Sequence, residues 1–148
     1  MKLENLKRAG FFDIEKLQKE LQIEIQCLKQ IKEPRKHLNS RIKAHSKKIL
    51  TEYEQSLNEI MSLYSDCESQ DVIPMVEAID CLKTSAIGVL DAARSKWAEA
   101  LEGTYNAQSA NQDYAAVRSE LHPQFDAARE KINSLARDRK RKLMDKFK

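Results

Sequence analysis

The stretch DVIPMVEAIDCLKTSAIGVLDAARSKWAEAL, from Asp71 to Leu101, decides the fold. Pro74 near its start suits the first turn of a helix, where a missing N–H leaves no bond unmade. Apolar residues then recur at steps of three and four, the spacing of one helical face. They are Met75, Ile79, Leu82, Ala86, Leu90, Ala93 and Trp97, with Ala100 or Leu101 next. The stretch predicts a helix whose apolar face, including Trp97, belongs to the core.

Upstream, the same spacing continues over a first arm, from about residue 13 to residue 68. Asp13 is predicted to be its N-cap, with Phe12 and Leu17 at the spacing of a hydrophobic staple. Pro34 interrupts the arm because it has no N–H to donate, yet the apolar stripe stays in phase across it. We therefore predict a kink or a tight restart at Pro34, with no reversal of the chain. The stripe continues through Ile42, Ile49, Tyr53, Leu57, Ile60, Tyr64 and Cys67.

Downstream, a polar turn at about residues 68–74 leads into a second arm, from about residue 74 to residue 146. The polar stretch around Gly103 leaves two alternatives. If Gly103 is a kink, the arms form an elongated antiparallel hairpin, and everything after Arg129 overhangs without a partner helix. If Gly103 is a reversal, the chain forms a three-helix bundle, which buries more apolar area. Either way, residues 1–148 are predicted to form a single all-α domain with coiled-coil-like packing.

Composition supports a helical, intracellular protein. The chain has only three Gly and three Pro, too few for the frequent turns of a β-protein. Its longest apolar run, Ala86–Leu90, is far shorter than the ~20 residues of a membrane span. No signal peptide is recognisable, and the three cysteines are an odd number without a closely spaced pair. We expect a cytoplasmic protein with reduced cysteines.

Charge is segregated along the chain. Residues 29–48 carry eight basic groups and one acidic group, whereas residues 49–82 carry eight acidic groups and no Lys or Arg. The basic tail, residues 137–148, carries seven basic and two acidic groups. Such blocks present organised charged surfaces when they lie on helices. These charged surfaces can bind a partner molecule or each other.

The candidate binding residues follow from these blocks. The predicted partner- or phosphate-binding residues are Arg137, Arg139, Lys140, Arg141 and Lys142 in the tail, with Lys29, Lys32, Lys36, Lys43 and Lys47 mid-chain. The predicted apolar docking stripe is Ile132, Leu135, Leu143, Met144 and Phe147. We expect a helical scaffold, adaptor or assembly subunit whose tail docks a protein partner or a second copy. The alternative is sequence-independent nucleic-acid binding, because clustered Lys and Arg displace phosphate counterions. An anionic membrane surface is the less favoured partner.

Signals for catalysis or metal binding are weak. The three glycines are isolated, so no phosphate-binding loop is present. His37 and His45 lie about two helical turns apart, and His122 and Asp126 flank the helix-disturbing Pro123. We therefore predict a protein that is not an enzyme, with no cofactor, metal or small-molecule substrate.

Overall fold

Helices make up nearly all of the described structure. The computed structural model describes residues 5–6, 9–28, 34–105 and 112–147, and no strand occurs in them. The helices are α1 (Ile14–Leu28), α2 (Pro34–Met61), α3 (Val72–Tyr105) and α4 (Gln112–Lys146). Two short 3₁₀ turns, Tyr64–Asp66 and Ser69–Asp71, connect α2 to α3. The predicted all-α class is confirmed.

The chain reverses between α1 and α2. Lys16 pairs with Glu52 at 3.2 Å, and Arg41 pairs with Glu24 at 2.8 Å, so residues further along α1 lie opposite residues earlier in α2. The two helices are therefore antiparallel, and the prediction of a kink or restart at Pro34 is wrong. Pro34 is instead the first residue of α2, where the lack of an N–H is harmless. An in-phase stripe fixes which face of each helix is apolar, but not the direction in which the next helix runs.

A second reversal lies between α3 and α4. Arg94 pairs with Asp126 at 3.3 Å and Asp80 with Lys140 at 2.8 Å, which makes these helices antiparallel. Gly103 lies inside α3, which continues to Tyr105 before the chain turns back. The chain therefore adopts the bundle and not the bare hairpin, although the reversal comes after Gly103.

The four helices pack as a three-helix bundle with α1 added on one side. Helices α2 and α4 are parallel, since the Tyr53 hydroxyl donates to the Ile132 carbonyl at 3.3 Å and Asn39 donates to Glu120 at 2.7 Å. Helix α3 packs antiparallel against both, and α1 packs against α2 and α3. The 34 residues of α3 give the bundle a length of about 50 Å.

The core extends along the whole bundle. Trp97 is fully buried, as predicted, with Tyr53, Met75 and Ile79. At the far end of α4, Ile132 and Leu143 are also fully buried. The overhang after Arg129, which belonged to the hairpin alternative, is therefore absent. Because the chain turns back after the end of α3 at Tyr105, the last turns of α4 lie against the start of α3 and the end of α2.

Local capping and one glycine shape the end of the bundle where α1 begins and where α2 is connected to α3. Asp13 accepts a hydrogen bond from the Lys16 N–H at 3.0 Å, so the predicted N-cap of α1 is confirmed. Between α2 and α3, Glu68 and Asp71 form a reciprocal capping box, with the Glu68 N–H donating to the Asp71 carboxylate at 2.9 Å. Gly10 has a φ of +75°, and an added Cβ would lie 2.6 Å from Ile60 Cδ1. A glycine is needed there for the chain to enter α1 against the end of α2.

Candidate interaction surfaces

Much of the basic tail binds the acidic part of the same chain. Lys140 donates to Asp80 at 2.8 Å, and this hydrogen bond holds the pKa of Asp80 below its ordinary value. The Lys146 ammonium donates to the carbonyl of Cys67 at 3.1 Å and also to that of Tyr64. Lys142 lies 4.9 Å from the centre of the Tyr64 ring, within range of a cation–π contact. Part of the basic tail is therefore occupied by contacts with the acidic block of the same chain.

Arg137 and Arg141 are the two tail arginines that remain exposed. Neither forms an ion pair with another described residue. Arg139 is half-buried and contributes an electrostatic field at the Tyr53 hydroxyl, whose pKa burial raises to about 12. Of the predicted tail residues, these two arginines are the ones most available to a partner.

Only part of the mid-chain basic block lies within the described residues. Lys43 and Lys47 are exposed on α2, whereas Lys29, Lys32 and the side chain of Lys36 lie outside the described residues. Because α2 and α4 are parallel, Lys43 is level with the region of α4 near Pro123, about 18 residues before Arg141. At ~1.5 Å per residue, Lys43 lies roughly 25 Å from Arg141 along the bundle, and Lys47 lies roughly 15 Å from Arg137. The exposed basic residues of α2 and of the tail are therefore spread along the bundle.

The predicted docking stripe is mostly core. Ile132 and Leu143 are fully buried and Leu135 is half-buried, so these three side chains do not form a free surface. Met144 and Phe147 are 53% and 37% exposed. The stripe was predicted as one exposed face, but the neighbouring helices cover part of it and leave Met144 and Phe147 exposed.

A third exposed apolar residue joins Met144 and Phe147. Ile73 lies seven residues before Asp80, and Phe147 lies seven residues after Lys140, so each shares a helical face with its ion-paired residue. Continuing the antiparallel register of the Asp80–Lys140 pair places Ile73 opposite Phe147, with Met144 one turn away from Lys140. Ile73 is 70% exposed. We call these three residues, Ile73, Met144 and Phe147, the end patch.

Sequence reasoning missed Ile73. It precedes Pro74 and lies outside the apolar stripe of α3, which begins at Met75. The available signal was the repeat of Ile73, Asp80 and Ile87 at steps of seven residues, which marks the edge of α3 that faces α4. Ile73 can be recognised as part of a surface with Met144 and Phe147 only when the position of α4 beside α3 is known.

The seam between α1 and α2 contains a buried histidine. His45 is 5% exposed, and its Nε2 atom has no hydrogen-bond partner among the described residues. It borders an open cleft of about 550 Å³ that is flanked by the Glu24–Arg41 pair and by the Glu20–Lys48 pair at 2.6 Å. Burial lowers the pKa of His45, while the nearby Glu20 and Glu24 carboxylates oppose that shift and Lys48 adds to it.

This seam predicts a pH dependence of stability. A His whose folded pKa is depressed binds protons more readily in the unfolded chain, so stability is lost as pH falls below about 6.5. We expect the free energy of unfolding of the wild type to fall more steeply than that of His45→Gln between about pH 7.5 and pH 5.5. Urea titrations at each pH measure this difference. His122→Gln, at an exposed histidine, is the control and should keep the wild-type slope. Equal slopes for wild type and His45→Gln would contradict the prediction.

The described residues contain no cluster of three or more His, Cys, Asp or Glu side chains suited to a metal ion. Cys67 and Cys81 are free thiols, and burial raises the pKa of Cys67. Among the described helices, none has the length and hydropathy required to cross a bilayer. No known protein family, curated protein or solved structure matches the chain.

Proposed function

We propose that this protein is a non-enzymatic helical adaptor or assembly subunit that docks a protein partner at its end patch. The observation that carries the proposal is the placement of three large exposed apolar side chains at one end of the α3–α4 seam. Further along that seam, the same edge is occupied by the Asp80–Lys140 and Asp91–Arg129 ion pairs. The seam therefore changes from charged to apolar at the point where its side chains become exposed.

The chemistry of the surroundings defines the partner. Arg141 lies six residues before Phe147 on α4, and Arg137 lies about one further turn back, both exposed. Aromatic, methionine and arginine side chains are enriched at protein interfaces, where arginines bind carboxylates at the rim of an apolar centre. The matching partner surface is apolar with acidic groups beside it. A patch of three side chains suits a transient contact better than an obligate one.

Nucleic-acid binding is less well supported as the alternative function. The exposed basic residues of α2 and of the tail are spread along the bundle, with roughly 15 Å between Lys47 and Arg137 and roughly 25 Å between Lys43 and Arg141. Lys140, Lys142 and Lys146 already contact Asp80, Tyr64 and backbone carbonyls. The two free thiols fit the further proposal that the protein works in the cytoplasm.

Site-specific photo-crosslinking tests the function. A photo-reactive phenylalanine analogue placed at Met144 should give discrete protein adducts in an extract of cells that express the protein. The same analogue at Lys131, exposed on α4 about 13 residues away, is the control and should give none of these bands. Bands that survive nuclease treatment and moderate salt support a protein partner, because apolar contacts are not screened. Adducts that nuclease removes would favour the nucleic-acid alternative, and identical bands at both positions would reject the end patch as a docking site.

A further inference from the structure

A row of ion pairs joins α1 to α2. The three pairs are Lys16 with Glu52 at 3.2 Å, Glu20 with Lys48 at 2.6 Å and Glu24 with Arg41 at 2.8 Å. We call them the α1 ladder. Their α1 members are spaced four residues apart and therefore lie on one face of that helix. All six side chains are between 29% and 50% exposed, so salt screens the pairs and each contributes little to stability.

The apolar part of the α1 contact is small. Leu17 and Leu21 are the buried apolar side chains among the described residues of α1. Helix α1 packs less extensively against α2 and α3 than those two helices pack against each other and against α4. The α2–α3–α4 bundle has its own core, in which Tyr53, Trp97 and Ile132 are buried. The bundle can therefore stay folded without α1, whereas a 15-residue helix on its own is only marginally stable.

The buried His45 lies in the seam that the ladder spans. The charged groups around it are Glu20 and Glu24 from α1, with Lys48 and Arg41 from α2. No described residue of α3 lines the cleft beside it. These four groups carry two negative and two positive charges, so a proton on His45 leaves the seam with a net positive charge. Because His45 is buried, water does not solvate that charge while α1 is docked.

We propose that α1 is a releasable strap, which acidification detaches from α2 and α3 while the three-helix bundle stays folded. This inference goes beyond the proposed function, because it does not involve the end patch. Undocking opens His45 to water, where its pKa is about 6.5, whereas burial holds the pKa lower in the docked state. Undocking is therefore favoured as pH falls below about 6.5, and salt adds to it by screening the ladder. Release uncovers Leu17 and Leu21, with the faces of α2 and α3 that they cover.

Hydrogen exchange of the full chain, followed by mass spectrometry, measures the release of α1. Protection factors correct for the effect of pH on the intrinsic exchange rate. Global unfolding also exposes His45, so acid lowers the protection of every helix, and a separate opening of α1 is recognised by its lower protection and weaker urea dependence. We expect α1 to be at least about tenfold less protected than the middle of α3 at each pH. Low urea concentrations should accelerate exchange in α3 and leave exchange in α1 nearly unchanged.

The pH dependence of that opening identifies the responsible group. Between about pH 7.5 and pH 5.5, the protection of α1 should fall by roughly threefold or more in the wild type. It should change little in His45→Gln, which cannot take up the proton. His122→Gln, at an exposed histidine on α4, is the matched control and should keep the wild-type response.

Charge reversal tests the ladder independently of His45. Glu20→Lys and Lys48→Glu each place like charges in the middle pair, so each alone should lower the protection of α1 by roughly threefold. The double variant restores opposite charges and should recover most of the wild-type protection. Glu130→Lys, at an exposed position on α4, is the control for a charge reversal outside the ladder and should leave α1 unchanged.

The outcomes decide between a strap and a single cooperative unit. A separate opening of α1 that acid promotes and His45→Gln makes insensitive to pH supports the strap, as does recovery in the double variant. Equal protection and equal urea dependence in α1 and α3 would mean that all four helices open together, and would overturn it. A pH response that His45→Gln leaves intact would also overturn it. Crosslinking at position 144 tests the proposed function separately, so either proposal can fail alone.

Discussion

Leu143→Ala is expected to lower the free energy of unfolding by about 2–5 kcal/mol. Leu143 is fully buried between α4 and its neighbours, so its truncation removes apolar contacts and leaves a cavity. Met144→Ala, at the next position, is the matched control, because that side chain is 53% exposed. Its effect should stay within about 0.5 kcal/mol, as for most surface substitutions. Urea denaturation of both variants measures the difference.

The comparison decides where the end of α4 belongs. If both substitutions had equally small effects, the last turns of α4 would be an overhang that the core does not need. A large loss confined to Leu143 means that the tail is part of the folded unit. It also means that deleting residues 137–148 would destabilise the protein, so loss of binding by such a deletion would not identify a docking residue.

Trp97→Ala should be at least as damaging, with a loss of about 3–5 kcal/mol. Trp97 is the largest fully buried side chain, and its removal from the interior of α3 cannot be compensated by small shifts of the surrounding helices. Far-UV circular dichroism should follow the unfolding, since Trp97 is the sole tryptophan and its fluorescence is lost with it. Trp97→Phe keeps an aromatic ring and removes an indole N–H that has no partner in the described part of the chain, so it should be clearly milder. A loss below about 1 kcal/mol for the alanine variant would contradict the assignment of Trp97 to the core.

The features predicted correctly from the sequence are those that local chemistry determines. The apolar spacing identified the buried faces of α3 and of the later part of α4, including Trp97 and Ile132. Asp13 was identified as an N-cap because a carboxylate just before the first helical residue can accept a hydrogen bond from an otherwise unpaired backbone N–H. The break before Pro74 was visible from its polar residues. None of these inferences requires knowledge of where distant segments lie.

The direction of successive helices was not predictable in the same way. The apolar stripe keeps its phase across Pro34, but the direction of the chain reverses between α1 and α2. A helix restarting in either direction can present the same residues to the core, so periodicity alone does not distinguish a kink from a turn. For the same reason the hairpin alternative, in which no helix lies beside the residues after Arg129, could not be excluded from the sequence. The ion pairs between helices, which sequence does not reveal, settle both points.

The candidate surface was predicted in part. Tail charges were recognised, but their pairing with Asp80 and with backbone carbonyls depends on the register of α3 and α4. Met144 and Phe147 are the exposed members of the predicted stripe, and Ile73 came from a segment about 70 residues away. Surfaces assembled from two helices require the pairing of those helices to be known. That pairing is the information that a single sequence lacks.

The parallel arrangement of α2 and α4 has a consequence for how the chain reaches its folded state. Contacts such as Tyr53 with Ile132 join residues 79 positions apart, and Lys146 with Tyr64 joins residues 82 apart. Closing so long a loop costs conformational entropy before any contact is gained, whereas the α2–α3 and α3–α4 hairpins form from nearer residues. We therefore expect the end of α4 to be among the last segments to order. Until it does, the Asp80 carboxylate and the carbonyls of Tyr64 and Cys67 lack Lys140 and Lys146 as partners.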